Sequence, residues 1–160
     1  VSIAPLALID STRGLIEHAL PGSIEFEQQL ATELPLIEAD PGQLQMVLLN
    51  LLFNARDAIE GEGRIRLEVD CVQLAGEVEG LHGPFVRFNV QDSGVGIEAH
   101  VLPRIFEPFF TTKSFGKGTG LGLSQVYGFA KQSNGAICAS SKVGEGTSMC
   151  LYLPAVLSPP

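Results

Sequence analysis

Three patches of this sequence combine residue types that could handle a phosphorylated ligand. The first is a polar stripe set into an otherwise apolar segment. Gln43, Asn50, Asn54 and Asp57 recur at i, i+7, i+11 and i+14 among Leu, Met, Val and Phe. At about 3.6 residues per turn they fall on one narrow helix face. Amides beside a core need partners. An amide carbonyl is also a hard oxygen ligand for Mg²⁺ that adds no charge. An ordinary solvent-facing stripe would give the same pattern. The second patch is Asp92-Ser93-Gly94-Val95-Gly96. A carboxylate at a strand end can accept a hydrogen bond from an exocyclic amine, and the glycines let backbone approach a flat ring. A plain turn closed by an Asx hydrogen bond reads the same way. The third is Gly116-Lys117-Gly118-Thr119-Gly120-Leu121-Gly122-Leu123, with glycine at every second position before a helix. Backbone N–H groups and a helix N-terminus there suit phosphate, although a flexible loop without a ligand also fits. The spacing matches neither a P-loop, since Gly116-Lys117 is followed by Gly118, nor the dinucleotide GxGxxG pattern.

The elements that must position these patches follow from pattern. A short helix over 6–20 stops at Pro21-Gly22, and residues 24–30 alternate as a strand, with Gln28 as the exception. Asp40-Pro41 reads as an N-cap and first turn of a helix that runs to about residue 60. Strands follow over 64–74 and 84–91, joined by a polar connector over 75–83. A helix over 121–132 precedes two strands, 136–141 and 147–153, that form a hairpin around Gly144-Glu145-Gly146. The expected class is α+β: a two-layer α/β sandwich of mixed, mostly antiparallel sheet with helices on one face. Residues 1–154 are expected to be one domain and 155–160 the start of a linker.

Composition narrows the function. With 160 residues, 45% hydrophobic and 18% charged, the chain has the profile of a globular domain. A net charge of -8 argues against a nucleic-acid partner, which needs clustered Lys and Arg. Cys71, Cys138 and Cys150 form no CxxC and are expected as small buried residues on strands in a reducing compartment. No apolar run approaches the roughly 18 residues that cross a bilayer. The chain opens on Val1 rather than Met and is expected to be part of a longer protein, so membrane attachment of that parent is left open.

Together the patches resemble the catalytic ATP-binding domain of bacterial sensor histidine kinases, in the superfamily that also holds DNA gyrase, MutL and heat-shock chaperone ATPases. QMVLLNLLFNARDAI is similar to the N box and QDSGVGI to the G1 box. PRIFEPFFTTK is similar to the F box, GKGTGLGLSQV to the G2 box and GEGTSMCLYLP to the G3 segment. They occur in the family's order between about residues 23 and 154.

The resemblance implies ATP and Mg²⁺ as cofactors and assigns roles by position. Asn54, with Asn50 one turn earlier, would ligate Mg²⁺ on the phosphates. Asp92 would bind the adenine amine beside Gly94, Gly96 and Ile97, with Thr147 nearby through water. Lys113 and the backbone at Gly118, Thr119, Gly120, Leu121, Gly122 and Leu123 would contact phosphates. Residues 109–118, including Phe109, Thr111 and Thr112, would form a mobile ATP lid, packed down by Phe106, Phe109 and Phe110.

Asn50 stands where the hydrolytic relatives typically carry Glu, and an amide cannot act as a general base. The implied chemistry is transfer of the γ-phosphoryl group to a histidine. Asp57 stands where many relatives carry a basic residue, and it is expected to hold water near the metal or to pair with Arg56. At His18 the acid precedes the histidine, whereas acceptor histidines usually have it directly after; His82 lies in a loop between strands and His100 follows the G1 segment, and all three are expected as surface or packing residues. The acceptor is therefore expected on a separate dimerisation domain of the same parent, with a response regulator downstream. The chain alone would be a monomer with little activity, the parent a homodimer, and the location cytoplasmic. The alternatives are a hydrolytic ATPase of the same fold and a nucleotide-sensing interaction module.

Overall fold

The computed structural model describes residues 2–108, 110 and 122–156. Its central helix, α2 (Pro41–Ala58), starts where the sequence places a cap. The Asp40 side chain accepts a hydrogen bond from the Gln43 N–H at 3.0 Å, and Pro41 occupies the first turn, where its missing N–H costs nothing. Leu44, Val47, Leu48, Leu51, Leu52 and Ala55 recur at helical spacing and are all buried. They form the stripe that seats α2 on the sheet.

That sheet has five strands in the order β2 (Ile24–Leu30), β4 (Gly63–Ala75), β5 (His82–Asp92), β7 (Gly146–Pro154), β6 (Ala136–Lys142). Only β2–β4 is parallel, and α2 lies in the crossover between those two strands. The other three pairs are antiparallel. The inner face supplies Ile65, Leu67 and Val69 from β4, Val86, Phe88 and Val90 from β5, Ile137 from β6, and Met149, Leu151 and Leu153 from β7. Helix α1 (Pro5–Ala19) adds Leu8, Ile9 and Ile16 to this core. Helix α3 (Gly122–Gln132) adds Val126, Phe129 and Ala130. The expected α+β two-layer sandwich with a mixed, mostly antiparallel sheet is the observed fold.

Several elements differ from expectation. Two-residue strands β1 (Ser2–Ile3) and β3 (Ile37–Glu38) pair antiparallel, and a 3-10 turn spans Leu102–Arg104. Segments this short carry no periodic signal. Ala155 and Val156, expected to begin a linker, are tied to the body: Ala155 N–H donates to the Pro84 carbonyl and Val156 N–H to the Leu36 carbonyl. The connector after β4 is more than a polar link. Val78 and Leu81 pack on a second apolar cluster of Leu74, Phe85, Ala136 and Tyr152, and Lys131 grips Glu79 at 2.8 Å.

The cysteines do lie on strands, but Cys71 is exposed and Cys138 and Cys150 are half-buried. Cys138 and Cys150 fall between the inner-face core positions of β6 and β7, whereas Cys71 shares the inner-face parity of Ile65, Leu67 and Val69, opposite Val86, and is exposed all the same, so the expectation of full burial is corrected. Among the described residues no helix is long and apolar enough to cross a membrane.

Because Leu52 is fully buried between α2 and the sheet, Leu52→Ala should cost about 2–5 kcal/mol in chemical denaturation. Asp40→Ala, which removes only the cap, should cost about 1 kcal/mol. Equal losses for the two variants would contradict this division between core and cap.

Candidate functional site

A single row across the sheet carries the polar residues at one end of α2. Ser141 of β6 lies opposite Thr147 of β7, Thr147 lies opposite Asp92 of β5, and Asp92 lies opposite Ile65 of β4. Thr147 and Asp92 are 6% and 8% exposed, so this is a buried polar edge on an otherwise apolar face. Asp92 accepts a hydrogen bond from the Gly94 N–H at 2.8 Å. Burial pushes its carboxyl above the usual range, while the Gly94 and Thr147 N–H groups pull it partly back. The Asx turn considered from sequence is therefore present. It engages one carboxylate oxygen and leaves the group able to accept from a ligand.

The loop after Asp92 is pressed against two other elements. A Cβ on Gly94 would come within 2.5 Å of the Ala58 carbonyl oxygen at the end of α2. One on Gly96, whose φ is +79°, would come within 2.3 Å of the Lys142 carbonyl oxygen. Only glycine fits at either place. Val95 N–H donates to Ala58, and Gly144 N–H donates to Val95, so the loop bridges α2 to the β6–β7 turn. Ser93 fixes the near end, accepting from Arg64 N–H at 2.8 Å. Ile97 fixes the far end by donating its N–H to Ser141 Oγ at 2.7 Å. Ser141 also lies 2.7 Å from Thr147 Oγ1 and 3.0 Å from the Gly146 carbonyl. Sequence reasoning missed Ser141. Its signal was available only through the hairpin register, which places it beside Thr147.

Further along α2, Asn50 and Asn54 are half-buried, one turn apart, on the flank of the core stripe. Asn50 Oδ1 faces the first residue of α3, and a Cβ on Gly122 would sit 3.1 Å from it. Leu123 is half-buried and packs on the main core. Asp57 pairs with Arg56 at 3.1 Å, one of the two roles expected for it, and Arg56 also lies over the Phe53 ring at 4.8 Å. Phe106 stacks on Tyr127 with centroids 5.9 Å apart, and Phe110 faces the Arg104 guanidinium at 4.8 Å. Both phenylalanines pack on the main core.

Phe109, Thr111, Thr112, Lys113, Gly118, Thr119, Gly120 and Leu121 lie outside the described residues, and with them most of the expected lid. The structure thus brings Asp92, Gly94, Gly96, Ile97 and Thr147 together at one end of α2. Asn50 and Gly122 meet about two turns away.

The donor set decides what could be held here. Asn50 and Asn54 offer neutral amide oxygens, and among the described residues no three of His, Cys, Asp and Glu cluster as a metal cage. That composition suits a hard divalent ion that arrives with phosphate oxygens and their negative charge. It does not suit a permanently bound structural ion. A cleft of about 640 Å³ runs between α2 and α3, with Gln43, Met46, Val47, Asn50, Gln125 and Phe129 on its walls. A second cleft, about 450 Å³ between α1 and β2, contains none of the candidate residues. His18, His82 and His100 are exposed.

Comparison with known proteins places the chain in a family. Residues 39–157 match the family described as histidine kinase-, DNA gyrase B-, and HSP90-like ATPase. The sensor kinase CckA of Brucella abortus is 43% identical over 151 residues, covering 91% of this chain and 16% of that protein. The chain therefore spans about a sixth of that relative's length. The catalytic domain of histidine kinase ThkA superposes with a TM-score of 0.79 at 28% identity, covering 97% of both chains. Full-length ShkA, solved in complex with AMPPNP, matches with a TM-score of 0.80 at 27% identity, over all of this chain and 32% of that one. The chain belongs to the histidine kinase-, DNA gyrase B- and HSP90-like ATPases, and within them it is a histidine kinase catalytic ATP-binding domain of the two-component type.

Proposed function

We propose that this domain binds Mg²⁺-ATP and presents the γ-phosphoryl group to a histidine on a separate dimerisation domain of the same parent protein. The observation that carries the reading is the placement of a buried acceptor edge at one end of α2 and an amide facing a helix N-terminus farther along it. Asp92 and Thr147 lie at the first position, and Asn50 faces Gly122 at the second. From Ala58 back to Asn50 the helix rises about 12 Å. A nucleotide laid along α2 would place its base at one position and its phosphates at the other.

In this reading Asp92 accepts from the exocyclic amine, and Gly94 and Gly96, pressed against the Ala58 and Lys142 carbonyls, hold the loop that walls the base pocket. Asn50 and Asn54 hold the metal through their amide oxygens, and Gly122 offers the positive end of α3 to the phosphates. The ion, when bound, neutralises the phosphate oxygens and orients them for in-line transfer. An amide at position 50 cannot take a proton from water, which disfavours hydrolysis relative to transfer. The domain's contribution is therefore positioning and charge stabilisation. Lys113 and residues 118–121 are proposed as further phosphate contacts, and 109–118 as the lid. A downstream response regulator, a homodimeric parent and a cytoplasmic location complete the proposal.

Calorimetry with ADP and AMPPNP, with and without Mg²⁺, tests the site. The wild type should bind, Asp92→Ala should lose at least tenfold (about 1.4 kcal/mol), and Asn54→Ala should lose the Mg²⁺ dependence. Phosphoryl transfer to an added acceptor domain, without rapid hydrolysis in its absence, would separate the kinase reading from an ATPase. Binding without transfer would favour a nucleotide-sensing module. No binding by the wild type would end the proposal.

The raised carboxyl of Asp92 adds a pH signature. As pH falls, the folded state takes up this proton before the unfolded chain does, so the cost of burying the charge is relieved through the folded-state pKa. Asp92→Asn keeps an oxygen for the Gly94 N–H and carries no charge. At pH 7.5 the variant should melt at or above the wild type, and the wild type should gain on it as pH falls. Nucleotide affinity of the wild type should weaken over the same interval, because the protonated carboxyl has lost an acceptor. A melting difference that does not move with pH would show that Asp92 is not titrating from a buried charged state.

A further inference from the structure

We propose that Ser141 is a positioning residue that fixes the direction of the Thr147 hydroxyl and thereby helps the base pocket select an amino-substituted purine. The inference rests on the nucleotide reading above and extends it to a residue that never touches the base.

The argument is a count of protons. Ser141 Oγ carries one hydrogen and has three close neighbours. The Ile97 N–H, at 2.7 Å, can only donate to it. The Gly146 carbonyl, at 3.0 Å, can only accept from it. The third neighbour, Thr147 Oγ1 at 2.7 Å, could do either. All three contacts are hydrogen bonds at once in one arrangement alone. Ser141 donates to Gly146, accepts from Ile97, and accepts from Thr147.

The Thr147 proton is then spent inward, toward Ser141, and what Thr147 offers beyond that bond is lone pairs. Its neighbour on the same sheet row, Asp92, is also an acceptor when ionised. The row Ser141–Thr147–Asp92 therefore shows an acceptor-only edge. The amine of adenine, with two N–H donors directly or through a water, matches it. The carbonyl oxygen of hypoxanthine at the same ring position brings lone pairs against lone pairs. Leaving such a buried mismatch unpaired costs more than a good bond gains.

Without the Ser141 hydroxyl, the Thr147 proton loses its inward acceptor and can turn outward. A donor facing a carbonyl is tolerated where an acceptor was not, so the penalty against hypoxanthine shrinks. The Ile97 N–H also loses its partner, which loosens the far end of the Asp92–Ile97 loop and weakens both nucleotides alike.

The test is the ratio of ADP to IDP affinity, measured by calorimetry on wild type, Ser141→Ala, Ser141→Thr, Thr147→Val and Ser141→Ala/Thr147→Val. Melting curves would confirm that each is folded. The wild type should prefer ADP. Ser141→Ala should narrow the ratio by about three- to tenfold, the worth of one neutral hydrogen bond. Ser141→Thr, which keeps the hydroxyl, should restore it. In the Thr147→Val background, Ser141→Ala should leave the ratio where it was, because no hydroxyl remains to be turned.

A purely structural role for Ser141 would weaken ADP and IDP equally and would act the same in both backgrounds, and either result overturns the proposal. A wild type that binds ADP but shows an unchanged ratio in Ser141→Ala defeats this inference alone. A wild type that binds neither nucleotide defeats the purine site itself, and this inference with it.

Discussion

Keeping a carboxylate out of water is the constraint around which this domain is arranged. Asp92 sits 8% exposed at the end of β5, and burial raises its pKa. A charge in that position is tolerable only if backbone donors converge on it. The Gly94 and Thr147 N–H groups do so, and each constrains something else. The Gly94 contact needs a turn so tight that Cα lies against the Ala58 carbonyl. The Thr147 contact needs β7 as the direct neighbour of β5, in the register that sets those two residues opposite. Sheet order, loop composition and the end point of α2 are in this sense consequences of one buried anion.

The same helix serves the core and the site, which links stability to function. Leu44, Val47, Leu48, Leu51, Leu52 and Ala55 seat α2 on the sheet. Asn50 and Asn54 lie on the flank that this seating leaves at the cleft between α2 and α3. A rotation of the helix by one residue, about 100°, would bury amides and expose leucines together. The apolar stripe therefore aims the amides. Neutral donors have a further effect. With no carboxylate cage among the described residues, these have little reason to gather divalent ions by themselves, and ion and nucleotide are expected to arrive as one species.

Much of this was legible in the chain because the relevant signals are local. Asp40-Pro41 announces α2, the 3.6-residue spacing of its leucines identifies the buried face, and alternation marks β2, β4, β5 and β7. Glycines at 94 and 96 suggest backbone close to a flat ring, and the structure gives them a different close neighbour, the carbonyls of Ala58 and Lys142. What escaped was non-local. Ser141 is an ordinary strand serine until the β6–β7 register sets it against Thr147. Strands β1 and β3 have two residues each, too few for a period. The connector after β4 reads as polar because its two packing residues, Val78 and Leu81, are separated by Glu79 and Gly80. Neither residue type nor alternation marks Cys71 as exposed, since it shares the parity of the buried Ile65, Leu67 and Val69.

The small β1–β3 sheet has a mechanical meaning. Ile3 pairs with Ile37, Ile37 bridges Ala155, and Val156 bonds Leu36, so the first and last described strand residues meet at one fully buried isoleucine. A pull transmitted through polypeptide at either end would be carried first by these few hydrogen bonds and by the Ile37 side chain. The row Ser141–Thr147–Asp92 lies at the far end of β7 from Ala155, which follows Thr147 by eight residues. Displacement of attached chain would thus be absorbed at the Ile37 knot before it strained the base pocket. The knot would then act as a strain relief, like the clamp that keeps a tug on a cable from reaching its solder joints.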